Sequence, residues 1–384
     1  MNNSIAASCS RSGVRPGHRA MTRRVGTAEP AIKLYSDCRT CNQVLRGTMQ
    51  AAVVRTTHPC GPDQAKELVM NPVGKRTGVF LGGTFAQDPG LTNLVDRAVE
   101  LAHEVADAGM RTVWFGQAAD YDASQLAALV GRAEPRIGVG TSVVPMYPRH
   151  PLLLAAAAKT AQAATAGRFR LGVGLGARSV LEPQFGLPYP PQIKHLREYL
   201  VALRPLLDGD DAAFEGQTLS SRPAGPTAVP GAVPQVPVLV AAMGPRALAA
   251  AGELAEGTIP FLAGPRTLAE QIVPAITEAA AAAGRPAPHI VAGVPAVVTD
   301  DAAAARSRVS AALGFYDSIP SYQKVIATEG LSSAADLLIA GDEDTVTAGL
   351  RRYFDAGATE IMVTHTDLFD AQDRARTWAV ARNL

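Results

Sequence analysis

Between Arg136 and Gly176 the spacing of hydrophobic positions changes twice. The run Ile137-Gly138-Val139-Gly140-Thr141-Ser142-Val143-Val144 is short, apolar and β-branched, Leu152 to Ala166 is a long Ala/Leu run, and Phe169 to Gly174 is apolar again. Two strands flanking one crossover helix form the unit of a parallel α/β fold. The first strand ends in small polar residues and the second in the turn Gly172-Val173-Gly174-Leu175-Gly176. Ligands of such folds sit beyond the carboxyl ends of the strands, so the two ends are candidate walls of one site.

The same alternation continues on either side. Gly78 to Gly83 reads as a short buried strand, and Leu91 to Ala108 as a helix with Leu94, Val95, Ala98, Leu101, Ala102 and Val105 on one face. Thr112 to Phe115 is a second strand, Asp122 to Gly131 a second helix, and the third strand starts near Arg136. Gly176 to Pro191 is long and Pro-rich, which predicts a loop covering the site. Gln192 to Leu207 is an amphipathic helix, and Phe214 to Gln235 an irregular insertion. Further strands follow at Pro237 to Ala241, Glu256 to Phe261, His289 to Val298 and Thr359 to Thr364. Between and after them, helices are predicted from Pro245, over Leu268 to Ala283, over most of Asp300 to Leu338 with a break near Pro320, over Thr345 to Ala356 and over Gln372 to Arg382. Eight strands alternating with helices over about 300 residues predict an α/β fold, a (β/α)8 TIM barrel with insertions. No repeat at solenoid spacing is evident.

Charge sets the first 77 residues apart. They carry 12 Lys and Arg against 4 Asp and Glu, whereas the other 307 residues carry 24 against 31. All four cysteines, Cys9, Cys38, Cys41 and Cys60, lie in this head. Cys38-x-x-Cys41 has half the ligands of a zinc site or the spacing of a redox pair, but no second pair accompanies it. Arg23-Arg24 resembles the start of a twin-arginine signal, but no apolar stretch follows. Residues 1–77 are therefore expected to be a disordered leader, or a segment upstream of a true start at Met49 or Met70. The acidic, cysteine-free body argues against a nucleic-acid partner and against a thiolate nucleophile. No stretch predicts a membrane span, and a reducing, cytoplasmic setting is the expectation.

The body offers few acid–base groups at strand ends. His103 and His195 fall in predicted helices and are expected to be solvated or capping. His289 begins a strand at the stability face of the barrel, and His150 and His365 follow strands on the ligand face. No metal-ligand spacing and no Gly-x-Ser-x-Gly elbow occurs. A site poor in acids, bases and nucleophiles suggests that an organic cofactor carries the chemistry. Two turns suit one. Gly172 to Gly176 lets backbone approach a ligand, or serves only strand–helix packing. In Ala242-Met243-Gly244-Pro245-Arg246, Pro245 fits a first helical turn whose amides can face a phosphate; a plain strand–helix turn is the alternative.

Gly140-Thr141-Ser142-Val143-Val144-Pro145, Arg149-His150-Pro151, Gly167-Arg168-Phe169 with Leu171-Gly172-Val173-Gly174, and Val238-Leu239-Val240-Ala241-Ala242-Met243-Gly244-Pro245 occur in this order. In this combination the chain resembles the luciferase-like monooxygenase superfamily, in its actinobacterial, deazaflavin-dependent branch, over about Gly78 to Leu384. The resemblance implies a barrel that binds coenzyme F420 or, alternatively, FMN. It implies a cis peptide at Ser142–Val143 backing one face of the ring, Gly174 and Gly176 flanking the cofactor tail, and Ala242, Met243 and Gly244 at its phosphate. Gln117 falls where relatives place a polar residue against the ring. Sugar-phosphate dehydrogenases of the superfamily carry His and Glu where this chain has Ala118 and Ala177, so sugar oxidation is not expected.

The expected activity is an F420-dependent oxidoreductase that transfers hydride between the deazaflavin and a small, largely apolar substrate. The proton would come from water or Tyr147, which with Gln117 is a catalytic candidate. Phe85, Trp114, Met146, Tyr147 and Phe261 are the expected pocket, with Trp114 and Phe261 alternatively in the barrel core. Rival readings are an FMN-dependent monooxygenase using O2 and a non-catalytic flavin-binding protein. Expected partners are the small-molecule substrate, a separate reductase supplying reduced cofactor, and a second copy in a homodimer; no metal is expected.

Overall fold

The computed structural model describes residues 76–82, 90–117 and 119–384. The head with its cysteines, apart from Arg76 and Thr77, lies outside these residues, as do Phe85 and Ala118. Eight parallel strands close into a barrel: β1 Arg76–Leu81, β2 Thr112–Phe115, β3 Gly138–Thr141, β4 Phe169–Gly174, β5 Val238–Val240, β6 Gly257–Thr258, β7 His289–Val298 and β8 Glu360–Thr364. Each pairs with its sequence neighbour, and β8 closes on β1 with Gly78 opposite Met362. All eight predicted strands are present.

The helices behind these strands are α1 Leu94–Asp107, α2 Ala123–Ala133, α3 Pro151–Ala164, α4 Gln192–Asp208, α5 Pro245–Leu254, α6 Val273–Ala282, α7 Glu343–Asp355 and α8 Ala371–Ala381. Asn93, Asp122 and His150 cap the first three, each side chain accepting from a backbone N–H of the first turn. Outward strand residues such as Val79, Val113, Phe115 and Val139 pack with Leu101, Val130 and Leu154 in the layer between barrel and helices. Met146 is fully buried in that layer, which removes it from the expected pocket.

The inward residues build a second core. Trp114 is fully buried inside the barrel with Leu239, Ile259, Val291 and Met362. A Cβ on Gly140 would lie 2.5 Å from its ring, and one on Gly78 3.2 Å from its Nε1, so glycines on both neighbouring strands make room for the indole. Trp114 Nε1 donates to Glu360 Oε1 at 3.1 Å, and the Arg170 guanidinium lies 4.3 Å from the ring centroid. Arg170 also makes a two-pronged pair with Glu360, at 2.7 and 2.9 Å, and donates to Thr112 Oγ1 at 2.9 Å. Burial works to raise the Glu360 pKa, but Arg170 and the hydrogen bonds outweigh it and hold the carboxyl below its usual range. Thr112, Arg170 and Glu360 sit at the first or second residues of their strands, the end opposite the ligand face, and the indole N–H points towards them. Trp114 therefore belongs to the barrel core, because its N–H finds its acceptor there.

The connections depart from expectation in three places. The stretch after β4 contains a helix, Arg178–Phe185, with Pro183 inside it. The chain after β7 forms Ala302–Leu313 and Pro320–Thr328, then a short strand, Ile339–Gly341, parallel to the end of β7. After α4, a two-stranded hairpin, Phe214–Glu215 with Ser220–Ser221, packs against α4 through Glu198, which accepts from the amides of Gln217 and Thr218.

Candidate functional site

The ligand face is shaped where β3, β4 and β5 end. Thr141 Oγ1 donates to the Gly172 carbonyl at 2.8 Å and accepts from its N–H at 2.9 Å, so a side chain takes over from the backbone ladder at the end of β3. The next peptide, Ser142–Val143, is cis, as the resemblance implies. Val144–Pro145 then resumes pairing with Val173 and Gly174. A Cβ on Gly174 would meet Val143 Cγ2 at 2.8 Å and Ala241 Cβ at 3.4 Å. Gly174 is itself buried; its small size lets Val143 settle against it. Ser142 and Val143 are half-buried, and Ala241, at the end of β5, is exposed to the mouth.

Beyond Ala241 the chain turns into α5. Ala242 is buried and its carbonyl accepts from Thr258 Oγ1 at 3.1 Å, so its side chain is not presented to a ligand. Gly244 is the N-cap of α5, Pro245 the first helical residue, and no side chain caps this end. A Cβ at Gly244 would meet nothing within 4 Å. Gly244 and Arg246 are exposed, and Met243 is half-buried. An uncapped N-terminus with an adjacent guanidinium favours an anion. Just after β4, Gly176 has φ +69°, and the Tyr189 hydroxyl fixes the turn by sharing its proton between the carbonyls of Leu175 at 2.6 Å and Gly176 at 2.9 Å.

Several expected polar residues serve the scaffold. Gln117 donates to the Tyr121 carbonyl at 2.5 Å and accepts from Ala123 N and Arg149 Nη2 at 3.1 and 3.3 Å. It clamps the start of α2, with both ends of its amide engaged, instead of presenting that amide to a ring. Arg149 also pairs with Asp122 at 2.8 Å. His150 accepts from Leu152 N through Nδ1, which leaves the Nε2 proton to donate to the Ser220 carbonyl at 2.8 Å. Phe261 is half-buried, stacked with His365 at 6.0 Å and edge-on to Tyr316 and Tyr322 from the excursion after β7. It remains a candidate wall.

Asp367, two residues after His365, was not legible as a site residue. Burial pushes its pKa up to about 6 and that of His365 down to about 4. Tyr121, raised to about 12 chiefly by burial and then by Asp120 and Asp367, belongs to the same edge of the mouth. The one sequence signal was an acid just past a strand end, in Thr364-His365-Thr366-Asp367. His195, expected to be solvated or capping, is buried beneath the hairpin. Among the described residues no group of three or more His, Cys, Asp and Glu could hold a metal ion, and no helix is long and apolar enough to cross a membrane.

The arrangement fits a flat ligand with an anionic tail: Val143 and its bulge on one side, exposed Ala241 beside it, and the bare helix end one turn further. It has the form of a barrel oxidoreductase that works through a bound organic cofactor. The chain belongs to the luciferase-like monooxygenase family, whose model matches residues 76–360. It is 28% identical over 258 residues to a putative coenzyme F420-dependent oxidoreductase of Mycobacterium tuberculosis, a match covering 63% of this chain and 72% of that protein. It is 33% identical over 168 residues to an F420-dependent glucose-6-phosphate dehydrogenase of Nakamurella multipartita, over 41% of this chain and 47% of the relative. The coenzyme F420-dependent tetrahydromethanopterin reductase of Methanopyrus kandleri superposes with a TM-score of 0.66 at 21% identity, over 80% of this chain and 97% of that one, a likeness of fold.

Proposed function

We propose that this protein is a coenzyme F420-dependent oxidoreductase acting on a small, largely apolar substrate with an activated C=C or C=N bond. The observation that carries the reading is the continuous cradle from Val143 over Gly174 to Ala241 and on to the uncapped N-terminus of α5. The matched relatives named for this cofactor support it. The reduced deazaflavin, when bound, supplies the hydride. Val143 supports the ring from one side, leaving the other for substrate. The backbone around Gly176 follows the tail, and Gly244 with Arg246 holds its phosphate. Phe80, half-buried in β1 against the inner core, and Phe261 wall the substrate side and exclude water from it. Tyr147 packs against Tyr189 and His195 beside the glycine-rich turn, so we assign it to the tail and the substrate proton to water at the rim. Ala118 and Ala177 leave no acid–base pair of the sugar-phosphate dehydrogenase kind. A separate reductase supplying reduced cofactor, and a homodimer, complete the proposal.

The test is turnover with reduced F420 and with reduced FMN, each with and without oxygen, over a panel of activated alkenes and imines. Substrate-dependent, oxygen-independent oxidation of reduced F420 is expected. Oxygen-dependent turnover with FMN alone would make the protein a monooxygenase. Tight cofactor binding without turnover across the panel would make it a flavin-binding protein.

A further inference from the structure

Beside the glycine-rich turn runs a file of rings in contact: Tyr189, Tyr147, His195 and Tyr199, with centroid separations of 5.3, 6.5 and 5.7 Å in that order. Tyr189 holds the Leu175 and Gly176 carbonyls, so the file adjoins the turn assigned above to the cofactor tail. The Tyr147 hydroxyl, His195 Nε2 and the Tyr199 hydroxyl are buried and have no hydrogen-bond partner. Tyr147 is 9%, His195 6% and Tyr199 0% exposed. Three orphaned polar atoms in neighbouring rings are unusual, since buried polar groups are nearly always paired.

The state of His195 follows from its other nitrogen. Thr218 Oγ1 donates its only proton to Glu198 Oε2 at 2.6 Å, so towards His195 Nδ1, 3.0 Å away, it can only accept. Nδ1 therefore carries the proton. Burial lowers the pKa of the imidazole against the opposing pull of Glu198, so the ring is neutral. Nε2 is left as a bare acceptor. Glu198 holds Thr218, and Thr218 holds the Nδ1–H of His195, which fixes the ring and aims its other nitrogen, but the oriented lone pair serves nothing in the protein itself. It calls for a ligand that donates to Nε2 while the phenols donate to it. An alcohol hydroxyl does both; a carboxylate, a phosphate or an amide carbonyl cannot donate.

We propose that His195 Nε2, with the hydroxyls of Tyr199 and Tyr147, is a subsite for a hydroxyl of the polyol chain joining the cofactor's ring to its phosphate. The inference rests on the cofactor reading above. His195 accepts the hydroxyl's proton in a hydrogen bond, and one of the tyrosines donates to its oxygen; no bond is made or broken. The subsite recognises the chain, not the ring or the phosphate, and it adds to affinity for the tail without touching the hydride.

The test is equilibrium binding followed by fluorescence, with three probes: F420, the same deazaflavin ring carrying only the ribityl chain, and that ring carrying only a methyl group. His195→Phe keeps a buried ring and removes both the lone pair and the Nδ1–H bond to Thr218, so its thermal stability should change little, the relief of a bare buried acceptor offsetting one lost neutral hydrogen bond. Its affinity for the two polyol-bearing probes should fall about 3- to 10-fold, the loss of a neutral hydrogen bond, with no change for the methyl probe. His195→Gln, whose amide oxygen can stand near the position of Nε2, should recover part of the loss, and Tyr199→Phe should reproduce it if His195→Phe fails to fold. Equal effects on all three probes, or none on any, overturn the subsite. A natural protein that binds none of the three overturns the cofactor reading itself.

Discussion

Replacing Gly244 by aspartate separates anion binding from folding. The position has φ −85°, which any residue adopts, and a Cβ there meets nothing within 4 Å. It is the N-cap of α5, where no side chain serves now. Aspartate at an N-cap is a few tenths of a kcal/mol better than glycine, and its charge near the helix N-terminus adds about 0.3–1 kcal/mol. The fold should therefore be slightly stabilised. The same carboxylate occupies the place assigned to the cofactor's phosphate. Two like unit charges about 5 Å apart at an effective dielectric between about 20 and 80 repel by about 1–3 kcal/mol. At 1.4 kcal/mol per factor of ten, the affinity falls roughly 5- to 100-fold. Gly244→Asn is the control, since it caps the helix without the charge. Fluorescence titration with F420 should show Gly244→Asp much weaker than Gly244→Asn, with the gap narrowing as salt rises. Equal affinities for the two variants would refute the phosphate site.

Other substitutions test the scaffold. Glu360→Gln leaves the Arg170 guanidinium buried without its counter-charge and should destabilise the protein by about 3–5 kcal/mol in denaturant titration; a loss below about 1 kcal/mol would show that water reaches the pair. Asp367 titrates near 6 in the fold against 3.8 in the unfolded chain, so its ionisation penalises the fold progressively as pH rises from about 4 to 6 and fully above that. Asp367→Asn should thus raise Tm at pH 8, by the equivalent of about 3 kcal/mol, and leave it nearly unchanged near pH 4; a gain that grows as pH falls would contradict the assignment. His365 runs the other way, its suppressed charging costing stability as pH falls from 6.5 towards 4. Gly176→Ala puts a Cβ at φ +69° and 2.3 Å from Leu181 Cδ1, so it should cost about 1–2 kcal/mol and loosen the turn over the cofactor tail, read as weaker F420 binding.

The eight strands were legible because each is a compact apolar block bounded by glycine, proline or a helix with a clear apolar face. The barrel interior was not. Trp114 and Glu360 lie 246 residues apart, and only the closed sheet shows that the indole's acceptor is at the far end of the barrel from the ligand. The helix at Arg178–Phe185 was hidden by Pro183, which reads locally as a breaker. His195 carries the same lesson for the site. Its position in an amphipathic helix suggested solvent, but the hairpin that buries it comes from an insertion with no regular period. The Ser142–Val143 peptide was anticipated only through the family resemblance, since nothing in the local residue types announces it. Gln117 and His150 lie on the ligand face as expected, yet their polar atoms are engaged by loop and hairpin.

A crystal structure of the protein with F420 addresses the central claim most directly. The ring should lie against Val143 and the Ser142–Val143 peptide, the chain beside Gly176 and the His195 file, and the phosphate at Gly244 and Arg246. A cofactor lodged away from the mouth formed by β3, β4 and β5, or a phosphate held elsewhere, would contradict it.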